Sequence, residues 1–327
     1  MKQVERRAYG LSRLLGAVTP KVERAAALCA AWFCAIALAA PVVAAETVLH
    51  EKASAYGTIV VVDEGDGTRT LRFGRHGARQ SSYRPDDPER LVLPYTEVAL
   101  TALALCGEPR RILVVGLGGG TLAGFLRRHY PAAEIDAVDI DPEVVRVAKE
   151  YFGFREDARM RAHVADGRRF IEDARVPYDL IFLDAFGTSA VPEHLTTREF
   201  LEAVRRITRP GGVVVGNLWF RQFNKLFDSM VRTYRAVFDD LAVLHVVGTG
   251  NRILIALPRR NALDRSEFAR LAREASSARG FRFDMGELVE RGYNVADASG
   301  EGGRVLLDRD LKQPPATARQ PNVIVAP

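Results

Sequence analysis

The chain has 327 residues, 47% of them apolar and 27% charged, with a formal net charge of +5. That length and balance belong to a globular protein with a real core, built as one large domain or as one large and one small. The charge excludes a basic nucleic-acid groove. Residues 1–45 hold six Lys/Arg against two Glu, and the other 282 residues are balanced at 40 basic to 39 acidic side chains.

Residues 25–45, AAALCAAWFCAIALAAPVVAA, carry no charge and follow a basic leader. With Val43 and Ala45 at the −3 and −1 positions of a cut, residues 1–45 predict a secretory signal and an exported or periplasmic protein. The same stretch is long enough to cross a bilayer, so the alternative is a membrane anchor through residues 25–45. Removal of the leader leaves Cys106 as the single cysteine of three, with no internal disulfide partner. Cys106 follows ALTALAL and reads as a small apolar side chain on a helix.

Residues 46–92 read as a small N-terminal β domain. YGTIVVVDE (56–64) is strand-like, Gly65-Asp66-Gly67 turns the chain, and TRTLRF (68–73) alternates, which together predict a β-hairpin. Residues 81–90 read as a polar loop. Residues 93–311 read as an α/β domain, opened by an apolar helix over 95–105. Strands are expected at 112–115, 135–139, 161–164, 178–183 and 213–216, the last entered through an Arg-Pro-Gly-Gly turn at 209–212. Helices are expected after the glycines to about 129, from Pro142, at 197–208 and at 223–234. Residues 241–247 and 251–257 read as a closing antiparallel pair, and 312–327, rich in Pro, Ala and Gln, as a flexible tail. The fold class is α/β, a methyltransferase-like Rossmann sheet preceded by a small antiparallel β element. No zinc spacing is visible, and no metal is expected.

In such a sheet, ligands sit at the carboxyl ends of the strands. Those ends carry Gly116, Gly118 and Gly120 in RILVVGLGGGTLAG (111–124), then Asp139, Asp166 with Gly167, and Asp184 after YDLIFL. Glycines let the backbone approach a ligand, and a carboxylate 23 positions beyond Gly116 suits ribose hydroxyls. An acid ending a buried apolar strand needs a partner or a function. Asp141, before Pro142, is either a helix cap or a ligand contact. His194 reads as polar filler, and Trp219 and Phe220 as either pocket or core.

Together with the front segment, these residues resemble the polyamine aminopropyltransferases, the spermidine synthases and their relatives, over about residues 56–257. The resemblance implies a transferase that uses decarboxylated S-adenosylmethionine as co-substrate, with no permanently bound cofactor. It also implies a di- or polyamine acceptor such as putrescine, and a homodimer. By that resemblance Gln80 contacts the aminopropyl donor, and Tyr95 with Glu97 in PYTEV belongs to the amine pocket. The glycine turn holds the methylthioadenosine portion, Asp139 takes the ribose where the family usually has Glu, and Asp166 with Gly167 meets the adenine. Asp184 orients the attacking amine and accepts its proton. Two acids of the family pattern are absent: GGGDG is replaced by a turn with Gly119, and a DSSDP-like motif by DAFGTSAVPEHL with Gly187. The latter is similar to a broader spermidine-synthase-like group, some of whose members are joined to membrane segments.

Two other readings fit the same strand ends. A methyltransferase would hold S-adenosylmethionine itself, and a basic group near Gln80 would favour it, whereas an acidic or apolar wall would favour the decarboxylated donor. A non-catalytic polyamine- or nucleoside-binding protein is compatible with Gly119 and Gly187.

Overall fold

A computed structural model describes residues 45–187, 190–261 and 264–311. The expected leader up to Ala44 and the expected tail from Lys312 lie outside the described residues. Among the described residues, no helix is long and apolar enough to cross a membrane.

The chain begins with a four-stranded antiparallel sheet in the order β1 (Thr47–Ser54), β2 (Gly57–Asp63), β3 (Arg69–Phe73), β4 (Arg79–Tyr83). The expected hairpin is its centre, β2 against β3. The flanking strands are additions, and β4 corrects the reading of a loop from residue 81. Their sequences hide them: β1 is exposed at six of its eight positions, and β4 is RQSSY, with no apolar alternation. Of the buried hydroxyls of β4, Ser82 pairs with Thr70 of β3 at 3.0 Å, and Ser81 meets Thr121 at 3.5 Å. Ile59, Val61 and Leu71 of this sheet form a core with Val144, Val147 and Phe152. The small sheet is thereby fastened beside the ligand face of the large one.

Two short helices follow, α1 (Pro94–Leu100) and α2 (Leu103–Cys106), where one was expected. The large sheet comprises β5 (Arg111–Val115), β6 (Glu134–Asp139), β7 (Met160–Val164), β8 (Tyr178–Leu183), β9 (Thr208–Trp219), β10 (Asp240–His245) and β11 (Asn251–Leu257), in the order β10-β11-β9-β8-β5-β6-β7. Strands β5 to β9 are parallel, and β11 and β10 close the edge antiparallel. Layers on both faces require the runs ILVV (112–115) and LIFL (180–183) to be apolar at every position rather than alternating. Crossovers are α3 (Thr121–His129), α4 (Pro142–Tyr151), α5 (Gly167–Asp173), α6 (Arg198–Arg206) and α7 (Phe227–Val237). The 209–212 turn is absorbed into the start of β9, whose pairing with β8 is irregular there.

The region after β11 received no element from its sequence pattern, yet it carries α8 (Arg265–Ala278) and α9 (Met285–Gly292). Their starts were legible: Asp264 accepts from the Glu267 amide at 2.8 Å and Asp284 from the Gly286 amide at 2.7 Å. The order of strands reverses direction at β5, which lies between β6 and β8. That switch point opens a crevice at the strand ends.

Candidate active site

Gly116 leaves β5 at φ +98°, with its amide donating to the Val138 carbonyl at 2.8 Å. A Cβ there would strike the Asp184 carbonyl oxygen, so only glycine lets the ends of β5 and β8 meet. Behind the turn, a Cβ on Gly119 would lie 2.7 Å from both the Phe152 ring and Ser81 Oγ. No acidic side chain fits at position 119 as the turn stands.

The crevice is a cavity of about 380 Å³, within the range of small-molecule sites. Gln80, Tyr95, Gly116, Gly118, Asp139, Asp166, Gly167 and Asp184 all line it. Strand ends distant in sequence therefore converge as expected. Glu97 and Gly120 are not among the lining residues. Gly120 instead starts α3 at φ +72°, against Phe154. Glu97 is half-buried two residues beyond Tyr95, and its carboxyl is pushed up by burial, with Arg90 opposing.

At one end of the cavity the carboxylates act on backbone. Asp139 accepts from the amides of Leu117 at 3.0 Å and Gly118 at 3.4 Å through one oxygen, and from Asp141 at 3.0 Å through the other. Burial pushes it up to about 6 against the pull of those amides. A carboxylate has about four acceptor positions, so roughly one remains for a ribose hydroxyl without displacing a turn amide. Asp141 resolves as a helix cap that also lines the cavity, accepting from the Glu143 amide at 2.9 Å and from Ser54 Oγ. Asp166 caps α5 through the Arg169 amide at 3.0 Å, and its second oxygen meets His194 Nε2 at 2.8 Å. Burial raises this carboxyl, but the His194 hydrogen bond and the cap amides together outweigh that and hold it low. His194 is thus a lining residue with a partner, not filler. Tyr56, from the β1–β2 turn, overhangs this end, its hydroxyl pushed up by burial and then by Asp141, Asp166 and Asp139.

The other end is built from side chains. Tyr95 Oη donates to one oxygen of Asp184 at 3.0 Å, and Asn217 Nδ2 donates to the other at 2.8 Å. Asn251 Nδ2 donates to Asn217 Oδ1 at 2.9 Å and so fixes the amide orientation. Burial pushes Asp184 up to about 6, while both donors pull it down. Tyr95 is held well above its ordinary value, by burial first and then by Asp184, and stays a proton donor in the hydrogen bond. Asn217 was missed in the sequence, although a lone amide in VVVGNLW on a buried strand was a legible signal. Among the described lining residues there is no Lys or Arg. Cys106 is outside the cavity, and burial pushes its thiol up to about 12, which removes it as a nucleophile.

A mostly parallel sheet with a glycine turn, an acid ending β6 and a buried acid ending β8 defines the class: an α/β protein with a methyltransferase-like sheet and a crevice at its strand ends. Residues 94–246 match the spermine/spermidine synthase domain. Over 228 residues the chain is 37% identical to a polyamine aminopropyltransferase of Vibrio vulnificus, covering 66% of this chain and 75% of that protein. It belongs to the spermine/spermidine synthase family. A probable spermidine synthase from Corynebacterium glutamicum shares the fold, with a TM-score of 0.64 and 22% identity over 82% of this chain and 99% of that one. The human methyltransferase-like protein 13, solved in complex with SAH, is 33% identical, with a TM-score of 0.52 over 57% of this chain and 92% of that one.

Proposed function

We propose that the protein transfers the aminopropyl group of decarboxylated S-adenosylmethionine to an amine acceptor. The observation that carries this reading is a cavity lined by four carboxylates and, among the described residues, by no Lys or Arg. A donor carrying its own carboxylate would enter that field without a cationic partner, whereas a sulfonium with a terminal ammonium is attracted by it.

The nucleoside lies against the glycine turn, with Asp139 on the ribose and the Asp166–His194 pair at the base. The acceptor arrives as an ammonium beside Asp184. The ionised Asp184 carboxylate takes one proton, leaving a neutral amine whose lone pair attacks the propyl carbon next to sulfur. The carbon–nitrogen bond forms as the carbon–sulfur bond breaks, and the bond pair passes to sulfur, which leaves as the neutral thioether methylthioadenosine. Tyr95 and Asn217 keep the carboxylate pointed at the nitrogen. General-base help of this kind contributes about 10²–10⁴-fold, and alignment of the two reactants contributes more.

The likeness to a methyltransferase solved with SAH supports a second reading, methyl transfer from S-adenosylmethionine in the same crevice. Calorimetric titration of the full chain with each donor separates the two. The expected result is binding of the decarboxylated donor at least about tenfold tighter, or 1.4 kcal/mol, with methylthioadenosine released when an amine is added. Binding of S-adenosylmethionine alone, with S-adenosylhomocysteine as product, would establish the second reading instead.

A further inference from the structure

The antiparallel edge of the large sheet reaches the Asp184 carboxylate through two amides. β11 starts at Asn251, directly after the turn from β10, and that turn is tied down. The Asn251 amide donates to Thr249 Oγ1 at 3.2 Å, and the Gly250 carbonyl accepts from the Phe220 amide at 2.8 Å. In the register of β9 and β11, Trp219 faces Asn251 and Asn217 faces Ile253. Side chains two apart on a strand leave the same face, so Asn217 and Asn251 are diagonal neighbours. Their side-chain amides meet at 2.9 Å, and that of Asn217 meets Asp184 at 2.8 Å.

The direction of this relay follows from which atoms can donate. An ionised carboxylate only accepts, so the buried Asn217 must turn its Nδ2 toward Asp184. Its Oδ1 then points at position 251 and needs a donor there, which Asn251 Nδ2 supplies. Turned the other way, Asn217 Oδ1 would face a carboxylate oxygen, and two acceptors sit together only when the carboxyl carries a proton. Of the elements around Asp184, α1 brings one titratable side chain to it, Tyr95, while β5 brings Val115 and Gly116. Asp139, Asp141 and Asp166 are engaged with backbone amides at the other end.

We propose that Asn251 is a positioning residue for amine activation: through the Asn217 amide it keeps Asp184 as the carboxylate that takes the acceptor's proton. This rests on the aminopropyl-transfer reading. Asn251 is not among the residues lining the cavity, so its loss acts on the proton step and not on donor binding.

The test is methylthioadenosine release by the full chain with decarboxylated S-adenosylmethionine and putrescine, followed as kcat against pH. Asn251→Asp is nearly isosteric, but once ionised it can only accept, so it should turn the Asn217 amide around. Its kcat at pH 7.5 is expected to fall about tenfold, the range of one hydrogen bond to a charged group, with donor KM within a factor of about two. The acid limb of its profile should lie about one pH unit higher, the same tenfold expressed as proton affinity. Asn251→Ala, which adds no charge, should move the limb the same way by less. Repeating both substitutions in an Asn217→Ala background separates the relay from the field of a new carboxylate, because neither should move the limb further once the intervening amide is gone. A limb unmoved by both substitutions, or a shift that persists without Asn217, overturns the relay and leaves aminopropyl transfer standing. Absence of methylthioadenosine from the unmodified protein with putrescine and with spermidine overturns both.

Discussion

The two ends of the cavity use the same side chain in opposite ways. Asp139, Asp141 and Asp166 each accept from backbone amides, so their first task is to hold the glycine turn and to start α4 and α5. Asp184 accepts from two side chains, Tyr95 and Asn217, and from no backbone amide. The first arrangement makes a rigid receptor, because losing an acid there loosens backbone. The second makes a reactive group, because a buried carboxylate restrained only by side chains can exchange a proton without disturbing the chain. Burial raises Asp139 and Asp184 alike to about 6, yet only Asp184 is free of structural duty.

Substitutions at the two ends should therefore separate chemistry from binding. The largest effect belongs to Asp184→Asn, which should lower kcat by about 10³-fold while leaving donor affinity within a factor of about two. The same variant should melt higher at pH 7.5. A carboxyl that binds its proton at 3.8 when unfolded and at about 6 when folded costs the folded state on the order of 3 kcal/mol once it must ionise. That cost is small at pH 4, close to the unfolded value, grows as the pH rises from there toward 6 and is fully present above 6. Melting curves at pH 4 and pH 7.5 check this, and an equal Tm change at both would contradict a raised folded-state value.

Asp139→Ala should act on the receptor end, weakening the donor by about 10–100-fold in calorimetry, because two turn amides lose their acceptor. Its kcat at saturating donor should fall less than its affinity, and the reverse pattern would erase the distinction between the ends. Tyr95→Phe should lower kcat about tenfold, the range of one hydrogen bond to a charged group. It should also move the acid limb of the kcat profile above pH 6, since the lost hydroxyl is one of the two groups lowering Asp184. An unmoved limb would mean that another group sets it. The smallest change is expected from His194→Ala, a rise of about two- to fivefold in donor KM, because Asp166 keeps its cap on α5 without the imidazole. A large fall in kcat there would place His194 in the chemistry.

Residue order alone determined the parallel sheet and the residues at its strand ends. Dense apolar runs, glycines at the turn and an Asp closing β6 and β8 are local signals, and the structure brings Gly116, Asp139, Asp166 and Asp184 to one crevice. Local signals were also present for α8 and α9 in the caps at Asp264 and Asp284, though no apolar period drew attention to them. Tertiary structure decided the rest. Strands β1 and β4 are polar segments recruited by pairing with β2 and β3, which no hydrophobic period announces. The pairing of Asp184 with Tyr95, 89 residues before it, and with Asn217, 33 residues after it, exists only because the start of α1 and the ends of β8 and β9 meet in space. His194 reaches Asp166 across 28 residues for the same reason. Sequence fixes which groups stand at the strand ends. The proton affinity of each group depends on burial and on donors arriving from elsewhere in the chain, and those belong to the folded molecule.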